Sequence, residues 1–171
     1  MVSSSNLEGF NTDKFLNAIH NVETKNSSDL TIKNTGSSAK GIYQILDGTR
    51  QSIYDTYFKG TMTKSEFDNN YNNDAQFQKT VASKYLEMNK PLAIELQQKY
   101  NIPQEYSQSI LYFLGAGDGP KYIEDYVSTG SHKIAQQKLD ERIKARNNGS
   151  LPKNMSVENY VRLKINSYYS Q

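Results

Sequence analysis

Apolar residues recur along the chain at helical spacing. Phe15, Leu16, Ile19 and Val22 form one stripe on a first helix that follows Thr12, a candidate N-cap, and ends at Glu23. Residues 24–38 (TKNSSDLTIKNTGSS) are polar, and the Leu30–Ile32 alternation supports at most a vestigial hairpin around 28–38. The segment 39–46 (AKGIYQIL) is compact and apolar. A helical pattern then runs through Ile53, Tyr54, Tyr57 and Phe58 towards Gly60. Thr63 and Glu66 have the spacing of a capping box. Asp74 can cap a longer helix carrying Phe77, Val81, Tyr85 and Met88, which Pro91 is expected to kink or restart.

Pro103 opens a further helix that stops at Gly115-Ala116-Gly117, and Asp118 is a candidate cap for the next, with Tyr122, Ile123, Tyr126 and Val127. The polar stretch 132–146 reads as a helix whose charges (KLDERIKAR) form a solvated face. Asn148-Gly149 and Pro152 mark a loop, and Ser156 starts a last helix with Val157, Tyr160, Val161, Leu163 and Ile165. The expected fold is all-α, a helical globule of six to nine short helices with a cleft. Residues 1–10 read as a flexible arm and 11–171 as a single domain.

Composition narrows the chemistry. The 171 residues contain no cysteine, which excludes disulfides, thiolate metal sites and cysteine nucleophiles. Two distant histidines, His20 and His132, give no histidine-rich metal site, and no cofactor is expected. The net charge is +2, with basic and acidic residues interspersed, so no nucleic-acid partner is expected. No apolar run is long enough for a membrane span, and MVSSSNLEGF has no secretory-signal pattern. Thirteen tyrosines supply flat rings with polar tips, suited to core edges and to sugar faces.

Three segments stand out by order and spacing: Glu23-Thr24, the run Gly36 to Ile45 (GSSAKGIYQI), and Tyr112 to Gly117 (YFLGAG). Taken singly, they read as a solvated glutamate, a turn and a helix C-cap. Taken together, they resemble the lysozyme-like superfamily, in particular the soluble lytic transglycosylases carried in phage virions and tails. That family has a Glu-Ser at the end of its first helix, matched here by Glu23-Thr24. Its Ser-Ala-x-Gly-aromatic/Met-Gln segment is matched by Ser38-Ala39-Lys40-Gly41-Ile42-Tyr43-Gln44. A later aromatic followed by Gly is matched by Tyr112 and Gly115, and Met155-Ser156-Val157-Glu158-Asn159-Tyr160 is similar to an element near the end of the virion forms. Phe113 stands where cellular enzymes have Asn, and Asp47 where they often have Pro.

The resemblance covers about residues 11–165. It implies a lysozyme-type fold and cleavage of the beta-1,4 bond between N-acetylmuramic acid and N-acetylglucosamine in peptidoglycan. Glu23 would be the general acid, because a glycosidic oxygen needs a proton as its bond breaks, and an apolar pocket between the Gly41–Ile45 and Tyr112 segments would keep its carboxyl protonated. Thr24, Ser37, Ser38, Gly41, Tyr43, Gln44 and Tyr112 would bind substrate or shape the site. Gly41 would allow close approach of a sugar, and the Tyr112 hydroxyl would orient Glu23. A cleft lined by Glu23, Ser37, Ser38, Gln44 and Tyr112 is expected.

A hydrolytic muramidase needs a second carboxylate, roughly 5–9.5 Å from the first, for which Asp29 and Asp47 are the candidates. A transglycosylase needs none, since the substrate's own 6-hydroxyl closes onto C1 as a 1,6-anhydro product. The third reading is a non-catalytic structural virion domain of the same fold. The partners implied are peptidoglycan glycan strands and other virion proteins. The implied location is a phage virion acting in the bacterial wall or periplasm.

Overall fold

The computed structural model describes residues 9–149 and 156–171, so most of the expected arm, Pro152 and Met155 lie outside the described residues. Among the described residues there are seven α-helices: α1 (Thr12–Thr24), α2 (Asp47–Ile53), α3 (Lys64–Asn73), α4 (Ala75–Tyr100), α5 (Gln104–Thr129), α6 (His132–Arg146) and α7 (Val157–Tyr169). A π-helical turn, Tyr54–Phe58, extends α2. The fold is mostly helical, and no named strand occurs among the described residues. Two isolated antiparallel bridges, Lys33 with Lys40 and Lys40 with Ile45, stand in place of a hairpin over 28–38. None of the described helices is long and apolar enough to cross a membrane.

The helix ends follow local chemistry, with corrections to the sequence reading. The cap of α1 is Asn11, whose side chain accepts from the Lys14 amide, and not Thr12. The Thr63–Glu66 capping box and the Asp74 cap are both formed. Pro91 does not divide α4, which runs through it as one helix. Gly115 does interrupt α5: at φ 74° and ψ 177° it is non-helical, and two helical pieces meet there. Asp118 is no cap. It lies within α5 and receives both terminal nitrogens of Arg146, at 3.1 and 2.6 Å. Asp125 binds Lys138 and Arg142 at 2.9 and 2.8 Å, so part of the charge on α6 is spent on α5 rather than on water.

Apolar burial forms two clusters. One gathers Phe15, Leu16 and Ile19 of α1 with Ile42, Tyr43, Ile45, Phe67, Tyr71 and the first half of α4. The other gathers the second half of α4 with α5, α6 and α7. α7 runs antiparallel to α1. The Asn11 amide donates to the Tyr168 hydroxyl at 2.9 Å, Asn21 donates to Ser167 at 3.0 Å, and Glu23 meets Tyr160 and Lys164. The end of α1 is thereby placed where the clusters adjoin.

The loop 39–46 is fixed to the first cluster by Gln78, a buried amide on α4. Its Oε1 accepts from the Ile42 amide at 2.9 Å, and its Nε2 donates to the carbonyls of Leu30 and Tyr71 at 2.7 and 2.6 Å. Gly41 sits directly on this amide at φ +80°, and a Cβ there would collide with it. Gly41→Ala is therefore expected to cost about 2–4 kcal/mol, combining backbone strain with loss of buried hydrogen bonds. Urea unfolding checks this, and a cost below about 1 kcal/mol would contradict the packing described.

Candidate functional site

Glu23 lies in the last turn of α1, with its side chain 19% exposed. Its Oε1 accepts two hydrogen bonds from α7: the Tyr160 hydroxyl donates at 2.6 Å and the Lys164 ammonium at 2.8 Å. Oε2 has no partner among the described residues. The carboxylate is thus anchored through one oxygen, and in place of the apolar surroundings expected around it Glu23 has an ammonium at 2.8 Å.

Lys164 is fully buried. Its ammonium stands 4.4 Å from the centre of the Tyr160 ring and 5.5 Å from that of Tyr112, placing cation–π attraction on two sides. Burial pulls its pKa down from 10.5 to about 8, against the opposing pull of the Glu23 carboxylate and its hydrogen bond. Tyr160 stacks on Phe113 with ring centres 4.0 Å apart. Burial, then the charge of Glu23, holds the Tyr160 hydroxyl well above the usual phenol range, so it stays a donor.

The Ala39–Leu46 segment adjoins the end of α1 through Thr24 and is held by Tyr112. Thr24 is buried, with its hydroxyl within hydrogen-bonding distance of the Ile42 carbonyl (3.2 Å) and the His20 carbonyl (3.1 Å). Tyr43 is buried, its ring 5.8 Å from that of His20. Tyr112 is buried too, and its hydroxyl donates to the Tyr43 carbonyl at 2.6 Å. Tyr112 therefore braces the 39–46 segment, while Tyr160 is the tyrosine that holds Glu23. Gln44 sits at φ 50° and donates through Nε2 to the carbonyls of Gly41 (2.7 Å) and Ile32 (3.2 Å). Gly41 is buried against Gln78 and makes room for that amide.

The remaining candidates fall elsewhere. Ser37 and Ser38 are exposed and accept from the backbone amides of Ala39 (3.0 Å) and Asp47 (3.2 Å). Together with Asp47 they line an open cavity of about 730 Å³ whose lining does not include Glu23, Gln44 or Tyr112. Asp47 is paired with Arg50. The Asp29 carboxylate closes its own turn, accepting from the amide and hydroxyl of Thr31, both at 2.9 Å, and these bonds lower its pKa. Glu23, Thr24, Tyr43 and Tyr112 thus share one neighbourhood. Ser37, Ser38 and Asp47 share another, whose lining does not include Asp29. Among the described residues no group of three carboxylate or histidine side chains is arranged to hold a metal.

Sequence reasoning missed Lys164 and gave Tyr160 no role in the site. The signal was a lysine at the third position of the stripe Val157, Val161, Lys164, Tyr168, all buried, while neighbouring Leu163 is 47% exposed.

The buried lysine predicts how stability depends on pH. Between about 8 and 10.5 the unfolded chain holds a proton on Lys164 that the folded chain has lost, so stability rises with pH. Tyr112 and Tyr160 act oppositely: their pKa values are raised from 10 in the fold, so their contribution is lost above pH 10. Urea unfolding of the wild type is expected to show a gain of roughly 1 kcal/mol per pH unit between 8 and 10 relative to Lys164→Met. Equal slopes in the two proteins would contradict the assignment. Comparison of the chain with family models, with curated proteins and with solved structures gives no match.

Proposed function

We propose that the chain is a peptidoglycan lytic transglycosylase, carried by a phage virion, that opens the cell wall locally by cleaving the MurNAc–GlcNAc beta-1,4 bond. The observation that carries this reading is the Glu23 carboxyl, held at Oε1 by Tyr160 and Lys164, with Oε2 unpartnered among the described residues. An acid/base used twice needs a fixed carboxyl with one oxygen available to the substrate.

The first step starts from Glu23 in its acid form, which gives its proton to the glycosidic oxygen as the bond from that oxygen to C1 breaks; the ion pair with Lys164 is the state between the steps. The substrate's N-acetyl oxygen bonds to C1 and takes up the positive charge. In the second step the Glu23 carboxylate takes the proton of the muramic 6-hydroxyl. That oxygen bonds to C1 while the N-acetyl oxygen leaves. Glu23 is protonated again, a 1,6-anhydro sugar is released, and no water is consumed. Lys164 lies where it stabilises the carboxylate that exists between the steps, and Tyr160 keeps the same oxygen oriented. The pairing of Asp47 with Arg50, in a cavity whose lining does not include Glu23, favours this route over hydrolysis, which needs a second carboxylate facing the first.

A non-catalytic wall-binding domain is the second reading, favoured by the separation of the cavity lined by Ser37 and Ser38 from Glu23.

Mass spectrometry of digested peptidoglycan separates the readings. Muropeptides ending in 1,6-anhydromuramic acid are expected with wild type and not with Glu23→Gln. Reducing-end products would mean a hydrolase and return attention to Asp29 and Asp47. No product on walls of several types would favour the non-catalytic domain.

Lys164→Met is expected to lower kcat about tenfold, which corresponds to about 1.4 kcal/mol of transition-state stabilisation. Wild-type kcat should fall as pH rises through about 8, where Lys164 loses its charge, and the variant should lack that limb. A variant with wild-type kcat and the same pH profile would remove Lys164 from the mechanism.

A further inference from the structure

Lys33 and Lys40 face each other across an antiparallel bridge. The hydrogen bonds that define it run from the Asn34 amide to the Ala39 carbonyl (3.2 Å) and from the Gly41 amide to the Ile32 carbonyl (2.9 Å). They flank the two lysines, which form a non-hydrogen-bonded pair. In that register opposed side chains stand closest, with Cβ atoms about 4.5–5.5 Å apart. Like charges so placed are destabilising. The Lys40 ammonium is drawn to Asn72 Oδ1 at 2.5 Å, while Lys33 has no polar partner among the described residues.

Both lysines line the cavity of about 730 Å³ between the 33–40 loop, α2 and α3. Lys64 and Arg50 line it as well. Arg50 is buried, its guanidinium 5.1 Å from the centre of the Tyr71 ring and bound to Asp47 and the Ile45 carbonyl. The carboxylates in the lining are Asp47 and Asp68, each already paired, with Arg50 and Lys64 respectively. The lining therefore carries a formal excess of two positive charges, equal to the net charge of the entire chain, +2. What remains uncompensated is the opposed pair, Lys33 and Lys40.

We propose that this cavity binds an acidic carbohydrate, with a carboxylate or phosphate of the ligand seated between Lys33 and Lys40. An anion there would compensate the two positive charges that the carboxylates of the lining leave over. The volume suits a sugar-sized group rather than a bare ion, and Ser37 and Gln51 supply polar atoms for its hydroxyls. A nucleic acid fits less well: single strands need an exposed ring to stack on, and Tyr71 is 2% exposed beneath Arg50. The site is separate from Glu23, so it serves a catalytic enzyme and a non-catalytic wall-binding domain alike.

Calorimetric titration at low and high salt tests the proposal. The probes are a muropeptide with free stem-peptide carboxylates, a poly(glycerol phosphate) oligomer, neutral chitotetraose and a single-stranded DNA oligonucleotide. The proteins are wild type, K33Q/K40Q and the control K133Q/K144Q, which removes the same charge from exposed positions on α6. At least one acidic glycan is expected to bind wild type and the control alike, about tenfold more weakly to K33Q/K40Q, and more weakly in salt. The acidic probe that binds identifies the source of the anion. Equal binding of neutral and acidic glycans, equal affinities of the two double variants, no binding of either acidic probe, or tightest binding of DNA would each overturn the proposal. If K33Q/K40Q does not fold, K33Q alone carries the comparison. Because none of these variants touches Glu23, failure here leaves the catalytic reading to its own digestion assay.

Discussion

The ion pair between Lys164 and Glu23 organises this protein. A charge as deeply buried as that of Lys164 is expensive to remove from water, and it survives only with a partner close at hand. Glu23 is that partner, supported by the faces of Tyr160 and Tyr112. The pairing fixes the register of α7 on α1, because Lys164 can reach Glu23 only when Tyr168 lies beside the start of α1. A hydrophobic residue at position 164 would fill the space more cheaply. Its use of a lysine is what points from packing to chemistry, since buried ion pairs bring little net stability.

The rest of the fold holds the 39–46 segment beside the same neighbourhood. Gln78 anchors the loop at Ile42, Leu30 and Tyr71, and Gly41 yields the space that amide occupies. Thr24 and Tyr112 then tie the loop to α1 and α5 through the carbonyls of Ile42 and Tyr43. Each is a backbone carbonyl held by a buried hydroxyl, so the segment beside Glu23 is held by directional bonds as well as by apolar packing. Two features are thereby separated in space. The anchored carboxyl lies against α7, and a positively charged cavity opens on the side of α2 and α3.

Much of the architecture was legible because helices announce themselves through periodicity and caps. The Thr63–Glu66 box, the Asp74 cap and the break at Gly115 follow from side-chain chemistry within a few residues. Pro91 misled because it lies within a long helix whose packing on α5 overrides the local defect. The site was half legible. Glu23 and Tyr112 could be singled out from local motifs, but the assignment of hydroxyls depends on which helices adjoin. Tyr112 points to the Tyr43 carbonyl, and the bond to Glu23 comes from Tyr160, 137 positions away. Lys164 was hidden because a lysine in a stripe reads as a flank of the polar face until the helix rotation is known, and here Leu163 takes the solvent instead.

The coupling of Lys164 to Glu23 is best tested by carbon-13 NMR of the glutamate side-chain carboxyls across pH 6 to 10. Glu23 is assigned by the signal that Glu23→Gln removes. In the wild type the Glu23 signal is predicted to move through a transition near pH 8, as Lys164 loses its proton, and in Lys164→Met that transition is predicted to vanish. A Glu23 signal that stays flat across this range in the wild type, or that moves equally in both proteins, would contradict the account.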